Sequence, residues 1–140
     1  AASGGYYVSA GAATIFAQPG TITGSIGVIG GKLITRGLWD WIGITFDQTK
    51  MGQNADLFSS DHRFDERQRA IIRRMMKEVY DQFKDRVTGG RGQKLKSEIE
   101  QLAGGRVYTG RQAQANGLVD KLGGLHDAVQ VAAAQANVSD

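Results

Sequence analysis

The chain contains no cysteine, which excludes disulfides, thiol nucleophiles and cysteine-based metal sites. Proline is nearly absent, with Pro19 alone. No apolar run approaches the length needed to span a bilayer, and no signal-peptide pattern is present. Segments that export or anchor a parent protein are therefore expected outside this chain. Histidine is scarce, limited to His62 and His126. Without a His-x-x-x-His pair or a tight carboxylate cluster, metal catalysis has little to build on, and neither a metal site nor a cofactor is expected. Charge of one sign is lacking too: 17 basic residues face 14 acidic ones, for a net charge of +3. Much of the excess lies between Arg63 and Lys96, interleaved with Asp65, Glu66, Glu78, Asp81 and Asp85. That reads as a solvated helical face and not as a nucleic-acid site.

Glycine is what the chain has in quantity, 20 of 140 residues. Scattered among apolar segments, these glycines imply tight turns and close backbone approaches, not a flexible linker. A hydrophobic content of 41% is enough for one core, so the chain is one domain or a substantial piece of one.

The periodicity predicts a short buried helix from Ser3 to about Ala13 and a brief strand over 14–17, stopped by Gln18-Pro19-Gly20. A Gly-rich loop over 21–31 follows. Residues 32–42 have helical spacing, with Gly43 as the stop, and the alternation over 44–50 predicts a strand. Residues 51–63 read as a loop. Asp65 and Gln68 form a capping-box pattern ahead of the longest helix. Ile71, Ile72, Met75, Met76, Val79, Tyr80, Phe83 and Val87 share one stripe of it, read as core, and it is expected to end before Gly89-Gly90. A helix over about 94–103, a short strand at 106–108, a helix capped by Thr109 and Gln112, an extended 118–122 and a terminal helix over 125–136 complete the chain. Short strands alternating with helices indicate an α/β class.

The opening Ala1-Ala2-Ser3-Gly4-Gly5-Tyr6-Tyr7 places a serine between small residues at a helix start. Small neighbours admit a substrate carbonyl, Gly4 and Gly5 leave N–H groups facing it, and a helix start favours negative charge. A tetrahedral oxyanion beside Ser3 would use both features. The competing reading is a plain N-cap serine.

Five segments, in order along the chain, resemble the signal peptide peptidase A family (protease IV), serine peptidases of the Clp protease/crotonase-like fold. They are Ala1 to Tyr7, then Thr21-Ile22-Thr23-Gly24-Ser25-Ile26-Gly27-Val28, and the Gly43-Ile44 strand entry. The last two are Gly104 to Ala113 and Asn116 to Gly123. The resemblance implies that Ser3 is the nucleophile, that the Gly4 N–H is one oxyanion donor, and that Ser25 holds the amine of a lysine general base. Such a lysine needs its pKa lowered by burial and neighbours. Tyr6, Gly24 and Ile26 are expected to line the substrate groove by their nearness to Ser3 and Ser25. The implied substrates are cleaved signal peptides or other membrane-proximal peptides with small or apolar residues at the cut.

The lysine is where the chain departs from that pattern. The position matching the lysine of shorter family members is Ala55, directly before Asp56. Lys50 and Lys32 are nearby and read as solvated lysines. The expectation is that residues 1–140 form the C-terminal part of such a domain, with upstream strands missing and the lysine supplied by an N-terminal segment or half. A homo-oligomer or ring at the extracytoplasmic (periplasmic) face of a membrane is expected with it. The alternative is a catalytically inactive module that organises an assembly.

Other chemistries are weaker. Adjacent Asp61 and His62 cannot easily adopt the orientation an Asp–His pair requires beside a nucleophile. Gly24-x-x-Gly27 and Gly30-Gly31 lack the surroundings of a phosphate loop.

Overall fold

A computed structural model describes residues 1–138 as two compact units. One comprises residues 1–28 together with residues from 79 onward; the other comprises residues 29–78. The class is mixed helix and strand with small sheets, in line with an α/β protein.

In the first unit, helix α1 (Gly4–Ser9) is followed by strand β1 (Phe16–Ala17) and strand β2 (Thr23–Gly24). Strand β2 lies inside the stretch expected to be a Gly-rich loop. Downstream come α4 (Ile99–Leu102), β3 (Val107–Tyr108), α5 (Gly110–Ala115), β4 (Lys121–Leu122) and α6 (Leu125–Gln135). Strands β1 and β4 pair in parallel, Phe16 opposite Lys121, and β2 and β3 pair antiparallel, Gly24 opposite Val107. Both members of the Thr109/Gln112 capping box are formed, as the spacing predicts. The core gathers Tyr6, Ala10, Ile15, Ala17, Ile26, Phe83, Val87, Leu102, Ala103, Ala113, Leu118 and Val119, all in this unit.

Three glycine contacts show why close backbone approach matters here. A Cβ at Gly27 would stand 2.7 Å from the Gly105 Cα, one at Gly110 2.1 Å from the Gln18 oxygen, and one at Gly117 1.8 Å from the Lys94 oxygen. Real side chains do not fit at such separations.

The second unit holds α2 (Arg36–Trp41) and the first part of α3 (Glu66–Arg91). Helix α2 is shorter than the spacing predicts. It ends as expected at Gly43, where φ is 76°: the Gly43 N–H donates to Asp40 and the Ile44 N–H to Trp39, a Schellman stop. Asp65 and Gln68 exchange reciprocal backbone–side-chain hydrogen bonds at 2.7 and 3.2 Å, forming the expected capping box.

Several expectations fail. Residues 44–50 form no strand, because an alternating segment needs a neighbouring strand to complete its backbone hydrogen bonds. Helix α3 runs through Gly89-Gly90 to Arg91. Gly90 lies so close to Ala10 that a Cβ would meet its carbonyl oxygen at 2.0 Å, which gives glycine a packing role inside the helix. In place of one helix over 94–103 there is a 3-10 turn (Gly92–Lys94) and the short α4. Of the α3 stripe only Phe83 and Val87 are fully buried, while Met75 and Val79 are exposed.

Candidate active site

The site begins with a turn. The Gly5 N–H donates to the Ala2 carbonyl at 3.0 Å, closing a four-residue reversal with Ser3 at its second position. Ser3 has φ 52° and ψ −124°, the dihedrals of a mirror-image turn that normally calls for glycine there. Holding a serine in this region costs about 1–3 kcal/mol, and strain of that kind clusters at functional sites. Ser3 occupies the N-cap position of α1, yet its side chain makes no cap hydrogen bond. The plain capping role is therefore not the one its hydroxyl fills. Ser3 is exposed at the surface of its unit.

The two glycines divide their roles. Gly5 is committed to the turn through its N–H, whereas the Gly4 N–H has no acceptor among the described residues. Gly4 is also open, with no atom within 4 Å of a would-be Cβ. Of the two N–H groups expected to face a substrate, Gly4's is the one left to do so.

Ser3 and the segment of Ser25 are brought together by the backbone. The Ser3 N–H donates to the Gly24 carbonyl at 2.9 Å, Ala2 and Gly24 form a parallel bridge, and the buried Thr23 Oγ1 donates to the Ala1 carbonyl at 2.6 Å. Gly24 sits at φ 76° with Tyr108 against it, so that a Cβ would lie 2.8 Å from the Tyr108 ring. Ser25 follows at φ 52°, a second serine in the left-handed region, with its N–H held by the Arg106 carbonyl at 2.8 Å. The sequence carries no signal for the left-handed backbone of either serine.

The residues expected to line the groove are placed otherwise. Tyr6 is buried, and its hydroxyl donates to the Leu118 carbonyl at 2.8 Å. Burial pushes the Tyr6 phenol up to about 12, against a lowering influence of Arg91 and with a raising one from Asp120. Tyr6 is thus a core residue and not a groove wall, because its ring is the part of α1 that the helix buries. Gly24 and Ile26 are buried as well, and Ile26 belongs to the core cluster.

Sequence reasoning passed over Arg91 and Asp120. The Arg91 side chain is fully buried; its Nε and Nη2 donate to the Gly117 carbonyl and its Nη1 reaches Asp120 Oδ2 at 2.7 Å. Asp120 also accepts from the Ile15 N–H and pairs with Lys94 at 2.8 Å. Burial alone would raise the Asp120 carboxyl, but the hydrogen bonds from Arg91, Lys94 and the Ile15 N–H outweigh it and bring it down to about 2. Nothing in the sequence separates Arg91 from the many solvated arginines.

Within the first unit, no lysine amine is hydrogen-bonded to Ser3 or Ser25 among the described residues. In the second unit Lys32 donates to the Leu57 carbonyl at 3.2 Å and lies over the Phe64 ring, while Lys50 is paired with Asp56. That hydrogen bond, opposed by burial, holds the Asp56 carboxyl below its ordinary range. Ala55 is exposed beside it.

The Asp61–His62 idea fails on geometry. Asp61 is paired with Arg36 at 3.0 Å, and the His62 ring meets the Arg63 carbonyl and, at 3.4 Å, Asp56. His126 is an exposed residue in the first turn of α6, beside Gln130. Among the described residues no group of three acidic or histidine side chains is placed to hold a metal, and no helix is long and apolar enough to cross a membrane.

The family model for peptidase family S49 matches residues 1–139. The chain is 40% identical over 140 residues to a putative signal peptide peptidase SppA of Enterococcus faecium, covering all of this chain and 40% of the relative. It is 36% identical over 138 residues to Protease 4 of Salmonella typhi, covering 99% of this chain and 22% of that protein. It is 33% identical over 139 residues to the chloroplastic serine protease SPPA of Arabidopsis thaliana, covering 99% and 20%. The chain spans less than half the length of each of these relatives. On the strength of a match from its first residue to its last but one, this chain belongs to peptidase family S49.

Proposed function

We propose that this chain is the nucleophile-bearing part of a serine peptidase of the Clp protease/crotonase-like fold. The observation that carries the reading is the strained turn at Ser3, which leaves a hydroxyl without a capping bond beside a Gly4 N–H that has no acceptor among the described residues.

In the proposed reaction the Ser3 Oγ bonds to the substrate carbonyl carbon as its proton passes to an unprotonated lysine amine. The carbonyl oxygen becomes an oxyanion, to which the Gly4 N–H donates. Collapse of the intermediate breaks the C–N bond, and the departing amine takes the proton back from the lysine. Water then hydrolyses the Ser3 ester by the same proton route. Ser25 orients the lysine, which is supplied from outside residues 1–140 because position 55 is alanine.

The proposed substrates are cleaved signal peptides or other membrane-proximal peptides with small or apolar residues at the cut. Names borne by the relatives support this choice. A membrane-associated oligomer, facing the extracytoplasmic side, is the proposed setting.

One observation favours a second reading: Lys32 and Lys50 are engaged within their own unit, and no described lysine of the first unit bonds either serine. A non-catalytic module that organises an assembly fits that as well. A quenched fluorescent peptide with small residues at its centre, offered to the isolated chain and to the intact protein, separates the two. Cleavage by the intact protein that is lost on Ser3→Ala supports the peptidase; no cleavage by either form supports the assembly module.

A further inference from the structure

Helix α1 has only six residues and begins with two glycines. So short a helix is marginal by itself, and glycine weakens it further. Its orientation, and with it the direction of the Ser3 hydroxyl, must come from tertiary anchors. At the Ser3 end the anchors are backbone bonds to β2. One turn on, Tyr6 is the only residue of the helix that is buried.

Tyr6 ends on a braced point. Its hydroxyl donates to the Leu118 carbonyl at 2.8 Å, across 112 positions of sequence. The preceding carbonyl, Gly117, accepts two hydrogen bonds from the buried Arg91 guanidinium, at 3.2 and 2.9 Å. Arg91 is fixed in turn by Asp120, which also takes the Ile15 N–H at 2.8 Å and Lys94 at 2.8 Å. Gly117 itself, at φ 81°, is pressed against the Lys94 carbonyl. A polar side chain buried this deeply is costly unless every partner is in place, so the turn has little freedom to move.

We infer that Tyr6, with the Arg91–Asp120 pair bracing the turn it docks on, acts as a positioning strut that sets the aim of Ser3. The inference rests on the reading of Ser3 as nucleophile. Tyr6, Arg91 and Asp120 touch no substrate; they act through α1. Misplacing a reacting group by about 1 Å costs on the order of a hundredfold in rate, so loosening one anchor of the helix has a kinetic signature. It lowers the rate of bond formation at Ser3 and leaves substrate affinity alone.

The test is made on the intact protein with a fluorophosphonate probe and a cleavable peptide. Tyr6→Phe removes one oxygen and keeps the ring in the core. It is expected to slow labelling of Ser3 and lower kcat by about tenfold, with KM within twofold of wild type. Asp120→Asn keeps the shape and weakens the brace, with a loss of about threefold in the same direction. Lys84→Met, which removes ion pairs to Asp81 and Glu100 elsewhere in the same unit, shifts Tm without changing kcat. Should Tyr6→Phe fail to fold, Asp120→Asn carries the test alone. If the folded variants label within twofold of wild type, or if kcat follows Tm equally in all three, the strut is overturned while the peptidase reading stands. If the wild-type protein does not label at Ser3, both fall together.

Discussion

The two units of this chain differ in what holds them. Residues 1–28 and those from 79 onward share a cluster of twelve buried residues, and the close backbone approaches of Gly27, Gly110 and Gly117 fall in the same unit. Residues 29–78 bury Leu57 and Gln68 and little else, while Ile29, Leu33, Trp41, Phe46 and Met51 stay exposed. Both candidate catalytic serines belong to the first unit. Ala55, Lys32 and Lys50 belong to the second. Serines held in strained backbone need rigid support, and the first unit has it. Surface pairs such as Lys50–Asp56 contribute little to stability and leave a segment free to vary. Ser3 and Ser25 sit in the unit where packing is dense; Ala55 sits in the one where it is sparse.

Substitutions can break or sharpen that contrast. The largest effect is expected at Ser3: Ser3→Ala should lower peptide turnover by the intact protein by roughly 10⁴-fold or more, the scale seen when a nucleophile is removed. Lys50→Ala, in the other unit, should leave turnover within about twofold, since effects on exposed pairs are small. Equal losses would show that the second unit supplies the base after all.

Stability should divide the same way. Gly117→Ala forces a side chain into φ 81° and against the Lys94 carbonyl, and is expected to cost about 3 kcal/mol by urea unfolding. Gly37→Ala lies in α2 with nothing within 4 Å and no positive φ, so it should stabilise by up to about 1 kcal/mol. A large loss at Gly37 would mean that the second unit is more tightly packed than its burial indicates.

Acid should act through the first unit. Asp120 is held at about 2, below its ordinary 3.8. Its contribution is therefore complete above pH 4 and is lost as pH falls from about 4 through about 2. Allowing for its residual exposure, the loss is about 1–2 kcal/mol. Asp120→Asn should flatten that part of the stability profile, and Asp56→Asn, which removes a carboxyl lowered through its exposed pair with Lys50, should flatten it less. The smallest effect is expected from Ala55→Lys, an exposed change that should move stability by less than about 0.5 kcal/mol.

The local rules were legible in the sequence where they depend on a few neighbouring residues. The capping boxes at Asp65/Gln68 and Thr109/Gln112 and the glycine stop after α2 formed as read, because each closes its own hydrogen bonds within a turn. The strand over 44–50 was misread because strand identity depends on a partner that the local pattern does not contain. Helix α3 crosses Gly89-Gly90 because Ala10, far away in sequence, occupies the space a side chain would need. At the site, the motifs around Ser3 and Ser25 mark the two segments that the backbone joins through the Ser3 N–H and the Gly24 carbonyl. Tyr6 and Ile26 were misassigned to a groove, since an aromatic or aliphatic residue beside a nucleophile carries no sign of which way it faces. Arg91 and Asp120 were invisible for a related reason: their importance lies in burial, and burial is set by the fold.

The most direct test of Ser3 as nucleophile is fluorophosphonate labelling of the intact protein, with the adduct mapped by peptide mass spectrometry and Ser3→Ala run alongside. The expected result is a single adduct on the peptide that contains Ser3, absent from Ser3→Ala. No adduct, or one that persists in Ser3→Ala, would contradict it.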